Sequence, residues 1–147
     1  MGQLYILLAL AIGLLLPIQV GINTELAQRI SSPVTASFFS FAVGTIGLMI
    51  CLWVLRGPWP DLNTITTVPK WLWLGGLIGA FAVFGSIISG PKIGFLSLVA
   101  LVLAGQLLAS LILDHYGWLG FPVRELSFGR ISGSVLLLIA VILIHKY

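Results

Sequence analysis

The stretch WLWLGGLIGAFAVFGSIISGPKIGFLSLVALVLAGQLLASLILDHYGW, residues 71–118, carries one charged side chain, Lys92, before Asp114 is reached. Lys92 divides it into two charge-free runs, 71–91 and 93–113, of 21 residues each. About 20 apolar residues are what a helix needs to cross the hydrocarbon core of a bilayer. The stretch therefore reads as two membrane spans, and the reading extends to the rest of the chain. Further charge-free intervals lie at 1–24, 30–55 and 131–145, giving five spans in all. Composition agrees, since 59% of the 147 residues are hydrophobic and only 7% are charged, against roughly 25% charged in a soluble domain.

The fold class expected is an all-α integral membrane protein forming a single membrane domain over 1–147, with spans near 4–29, 34–55, 71–89, 93–113 and 126–145. The first run lacks a preceding Lys or Arg and a small-residue cleavage site, so it reads as a retained span and not a secretory leader. Gly2 is followed by Ile6 where an N-myristoylation signal wants Ser or Thr. Leu26 and Ile30 keep a four-residue apolar spacing that carries the first helix to Arg29, and Pro17 is expected to bend it. In "SSP" at 31–33, Ser31 or Ser32 can cap the next helix and Pro33 suits its first position. "RGPWPDLNTITTVPK" (56–70) reads as the longest loop, with Trp59 and Trp71 at headgroup level. "GPK" at 90–92 reads as a tight turn between the third and fourth spans. A second loop, 116–130, again has an interfacial Trp, Trp118. Ile131 to Ile144 covers only about 21 Å as helix, so the fifth span must begin near Leu126, with Arg130 snorkelling to the interface.

Five spans put the two chain ends on opposite sides of the membrane. Arg56, Lys70, Arg124 and Arg130 then fall on one side, and Arg29, Lys92 and Lys146 on the other. A fixed orientation normally shows a clear excess of Lys and Arg in cytoplasmic loops, and four against three is no such excess. The expectation is a chain that inserts both ways and works as an antiparallel homodimer, reproducing the inverted-repeat plan of many secondary transporters. A related heterodimer partner of opposite fixed topology would serve equally, and a single orientation set by weak cues is the plain alternative.

Polar groups inside the spans are the candidate site. Gln19 and Asn23 stand four residues apart after Pro17, and Gln106 and Ser110 repeat that spacing in the fourth span, so each pair shares a helix face. An unpaired amide in hydrocarbon costs several kcal/mol, so these faces must meet protein, water or solute. Either they join helices, or Gln19, Asn23, Gln106 and Ser86 line a solute site, with Ser110 on the same face and Phe81 and Phe84 as apolar walls. Gly75xxxGly79, Gly85xxxSer89, Gly105 and Gly129xxxGly133 supply the small residues through which membrane helices pack closely.

Titratable groups are scarce. Glu25 and Asp114 are the possible proton-linked residues, both near span ends. His115 lies about 100° round the helix from Asp114, so the two do not face one target. Cys51 is alone and cannot form an intramolecular disulfide. Phosphate loop, HExxH, metal-spaced Cys/His and GxSxG motifs are absent, which leaves no constellation for an enzyme, a cofactor or a metal. A pI near 9.4 reflects few charges rather than a basic patch, so nucleic-acid binding has no support.

"PIQVGINTELAQRISSP", "SFAVGTIGL", "WLGGLIGAFAVFGSIISGPKIG" and "AGQLLASLILDHYGWLG" together resemble the YdcZ-type inner-membrane exporters of the drug/metabolite transporter superfamily. The most specific parts are Pro-x-Gln-x-x-x-Asn at Pro17, Gln19 and Asn23, and Ala-Gly-Gln…Asp-His-x-Gly from Ala104 to Gly117. The resemblance implies a bacterial inner-membrane location, about five helices, and dimers of opposite orientation that mimic ten-helix inverted-repeat transporters. It names no substrate. The chain lacks the mid-membrane Glu of the related small multidrug resistance proteins, which speaks against drug/proton antiport by their mechanism.

Overall fold

The computed structural model describes residues 2–120 and 122–147. Among the described residues six α-helices follow one another: α1 (Gly2–Arg29), α2 (Pro33–Val54), α3 (Leu62–Thr67), α4 (Leu74–Ile93), α5 (Phe95–Tyr116) and α6 (Phe128–Lys146). No strand occurs among the described residues. Five segments among the described residues are long and apolar enough to cross a membrane: Gln3–Arg29, Pro33–Val54, Lys70–Ile93, Phe95–Tyr116 and Phe128–Lys146. The all-α class with five spans expected from the charge-free runs is thus the architecture observed.

Helix α1 runs unbroken through Pro17 to Arg29. The turn after it uses Ser31 and Ser32 differently. Ser31 takes a left-handed backbone (φ 54°), and Ser32 caps α2 by accepting from the Thr35 N–H at 3.2 Å, with Pro33 at the first helical position. Ser32→Ala is expected to cost about 1 kcal/mol, the usual worth of such a cap. Ser31→Gly should cost nothing, because glycine holds that conformation without strain. Melting midpoints of the two variants in detergent check the distinction.

Three boundaries differ from the sequence reading. The 56–70 loop contains α3, whose N-cap is Asp61, accepting from the Thr64 N–H at 2.8 Å. Hydrogen bonds from the Thr64 side chain and backbone hold the Asp61 carboxyl below its ordinary value. A 3-10 turn, Lys70–Trp73, then leads into α4. The "GPK" turn is not a turn: α4 stays helical through Gly90, Pro91 and Lys92 to Ile93. Pro91 forfeits one backbone bond in the last helical turn, which membrane helices tolerate because ending the helix would expose more unpaired groups. The break falls on Gly94, whose φ of 85° and ψ of 148° suit glycine. Finally, α6 begins at Phe128, two residues after the expected start, where Ser127 caps the Arg130 N–H at 3.3 Å.

The chain divides into two compact units, Met1–Pro91 and Lys92–Tyr147. The first is centred on Ala27 of α1, Ala36 of α2 and Ile87 of α4, with Leu26 and Val83 packed around them. Ala36 is wholly buried; small side chains here let helix backbones approach closely, which supplies packing where lipid gives no hydrophobic drive. The second unit joins α5 to α6 through Ala100, Ala104 and Val141, flanked by Leu137, Leu138 and Ile144. Most large apolar side chains elsewhere are exposed, as surfaces that face lipid or a partner chain must be.

Candidate functional site

The apolar face of α1 recurs at Ile12, Leu15, Leu16, Ile22 and Leu26, and Gln19 and Asn23 interrupt it at the same helical spacing. That face meets Phe39, Ser40, Val43 and Gly44 of α2 along an open groove of about 650 Å³. Gln19 lies roughly 5 Å along the axis from the middle of α1, so the groove reaches well into the span.

Asn23 is only 5% exposed and donates from Nδ2 to the Ser40 hydroxyl at 3.1 Å. Among the described residues this is the side-chain bond that ties two spans of the first unit together. The other hydroxyls turn inward on their own helices: Thr24 donates to the Val20 carbonyl at 2.8 Å, Ser37 to Pro33 at 2.9 Å and Ser86 to Ala82 at 2.7 Å. Gln19 is exposed in the groove, and no side-chain hydrogen bond engages it among the described residues. The groove thus holds an exposed amide, a bridged amide and a hydroxyl between apolar walls.

The structure groups the expected residues selectively. Gln19 and Asn23 share the α1–α2 groove. Phe81 and Phe84 lie in a separate groove of about 490 Å³ between α2 and α4, with Ser37, Phe38 and Phe41, so they are not walls of the amide site. Ser86 lines neither. Gln106 is exposed on α5, and Ser110 lines a smaller groove, about 270 Å³, between α5 and α6 beside Arg130, Gly133 and Ser134.

The two carboxylates named from the sequence both have cationic partners. Glu25 pairs with Arg29 one helical turn away at 2.8 Å, with both side chains well exposed. Asp114 is not a bare solvated helix end: it forms an ion pair with Arg130, which reaches back across the loop instead of simply snorkelling outward. The same guanidinium donates to the carbonyls of Arg124 at 3.1 Å and Glu125 at 3.4 Å, and the Arg124 N–H bonds the Asp114 carbonyl at 2.8 Å. His115 takes a different direction, packing edge-on against Tyr116, which stacks on Trp118.

The glycines divide in the same way. A Cβ built at Gly79 would come 3.5 Å from the Phe41 ring, whereas at Gly75, Gly85, Gly105, Gly129 or Gly133 it would meet nothing within 4 Å. No group of three or more metal-binding side chains occurs among the described residues. Sequence reasoning missed Ser40 and the Asp114–Arg130 pair. The first had a signal, since Ala36, Ser40 and Gly44 form a small-residue stripe on α2 at four-residue spacing.

Residues 4–143 match the family described as "Putative inner membrane exporter, YdcZ". The chain belongs to the YdcZ family. It is 31% identical over 137 residues to the inner membrane protein YdcZ of Escherichia coli strain K12, covering 93% of this chain and 91% of that one. No solved structure matches. Membership in the YdcZ family and five apolar helices make this a multi-pass protein of the bacterial inner membrane. The amides of the α1–α2 groove and the Asp114–Arg130 clasp are therefore features of a YdcZ-family chain in lipid, where an unpartnered polar group has no water to turn to.

Proposed function

We propose that the chain is one half of a secondary transporter, exporting a small metabolite or amphipathic solute by alternating access as a pair of copies in opposite orientations. The observation that carries this reading is the α1–α2 groove: an amide, Gln19, stands exposed near mid-membrane beside the bridged Asn23 and Ser40. Embedded polar groups of this kind mark solute pathways when they are not consumed in helix pairing. The paired charges support opposed insertion, since Arg29 and Arg130 are each matched by a carboxylate and the basic residues are nearly balanced between sides. The five open glycines are surfaces that a second copy, or a related chain, can approach closely. Gln106 and Ser110 are assigned as solute-facing residues of the second unit from the helix face they share, and Glu25 and Asp114 remain the candidates for proton linkage.

In proteoliposomes, Gln19→Leu is expected to reduce solute flux at least tenfold while the assembly elutes unchanged. A reporter fused to the C-terminus should be active on both sides of the membrane. Activity on one side alone would sink the opposed homodimer, and unchanged flux would remove Gln19 from the pathway. The Asn23–Ser40 bond also fits a second reading, a non-transporting subunit whose polar groups serve assembly only. That reading expects Asn23→Leu to dissociate a complex and no solute in a broad panel to move.

A further inference from the structure

We infer that the α1–α2 groove selects an uncharged amphipath: a neutral, hydrogen-bonding head on an extended apolar chain. The inference deepens the proposed transport function and rests on reading Gln19 as a group that faces solute. Two features of the groove carry it.

The first is its polar inventory. Gln19 offers two N–H donors and a carbonyl, Asn23 keeps its carbonyl oxygen after donating to Ser40, and the Ser40 hydroxyl can still donate. None of the residues lining the groove is Asp, Glu, Lys, Arg or His. The nearest charges on α1, Glu25 and Arg29, neutralise each other at 2.8 Å. An ionised head brought to this depth would lose its hydration without meeting a counter-charge, which disfavours it. A hydroxyl or amide head finds both donors and acceptors waiting.

The second is shape. The α1 wall runs from Ile12 to Leu26, a length of about 21 Å at the helical rise. Its polar groups lie within the Asn23 half, and Ile12, Leu15 and Leu16 continue the other half without a polar atom beyond the backbone. A head seated at Gln19 and Ser40 therefore leaves its chain lying along an aliphatic trough.

The test uses three photoreactive probes of identical alkyl chain in phosphatidylcholine proteoliposomes, with glycerol, trimethylammonium or sulfate heads. Labelling of peptides from α1 and α2, measured against labelling of α6, is expected to favour the glycerol probe at least tenfold over both charged ones. Gln19→Leu should lower labelling by the glycerol probe. Gln19→Glu should shift the preference to the trimethylammonium probe, a gain that misfolding cannot imitate. Equal labelling by all three heads overturns the inference. So does failure of Gln19→Glu to shift the preference, or absence of labelling by every probe, as a groove filled by a second copy would give. Solute flux without glycerol-probe labelling overturns it while leaving the transporter reading intact. Selective labelling without flux supports the groove and counts against the transporter.

Discussion

Arg130→Gln is expected to destabilise the second unit by about 1.5–3 kcal/mol, the range for a hydrogen bond to a charged group, and Asp114→Asn by a similar amount. The figure is below the ~3–5 kcal/mol for breaking a fully buried pair, because these side chains are 31% and 25% exposed. The pair is more than a surface contact for a reason that lies in the helices. Asp114 sits in the last turn of α5 and Arg130 in the first turn of α6, so each charge is at the end where its helix dipole opposes it. Each tolerates its place through the other, and Arg130 also gathers the Arg124 and Glu125 carbonyls of the intervening loop. Removing either partner leaves an adverse charge behind; removing both does not. The double variant Asp114→Asn/Arg130→Gln should thus melt above either single variant. The exchanged pair, Asp114→Arg with Arg130→Asp, should recover stability because it places both charges at favourable helix ends. Melting midpoints in detergent decide it, and additive losses in the double variant would show that the two residues act independently.

This clasp marks the limit of what the sequence made legible. Span number was readable because the bilayer imposes one blunt requirement, about 20 residues without charge, and 71–113 meets it twice around Lys92. The Ser32 cap, Pro33 at the helix start and continuation of α1 to Arg29 were local patterns and could be read locally. The Asp114–Arg130 bond was not, because it joins residues 16 apart across an irregular loop; each charge alone looks like an ordinary helix end. Ser40 was hidden for a related reason: a serine in a membrane helix usually bonds its own backbone, as Ser37 and Ser86 do, so its place in the small-residue stripe of α2 marks packing without showing that it meets Asn23. Asp61 was concealed by the prolines around it, which marked a loop so strongly that the short capped helix inside was overlooked. The separation of Phe81 and Phe84 from the amide groove depends on which side of α2 each helix packs, and no periodicity within one helix specifies that.

Gly94→Val is expected to lower stability by about 1–3 kcal/mol, the cost of forcing a side chain into a sparsely populated backbone region, and to reduce folded yield in the membrane fraction. Space does not cause the loss, since a Cβ at this position meets nothing within 4 Å. The cause is the backbone: φ of 85° with ψ of 148° is strained for any L-residue and worst for a β-branched one. Gly94 is the sole residue between α4 and α5, so no neighbour can absorb the change by lengthening a loop. Its carbonyl also accepts the first bond of α5, from the Leu98 N–H at 3.0 Å, so a shift in ψ would unseat the start of that helix. Gly105→Ala is the matched control. It lies inside α5 with equal room around its Cβ, and alanine there should be neutral or gain up to about 1 kcal/mol in helix propensity. A loss at Gly105 equal to that at Gly94 would place the requirement for glycine in close packing against another chain, whereas a loss at Gly94 alone locates it in the one backbone conformation that ends α4 and begins α5.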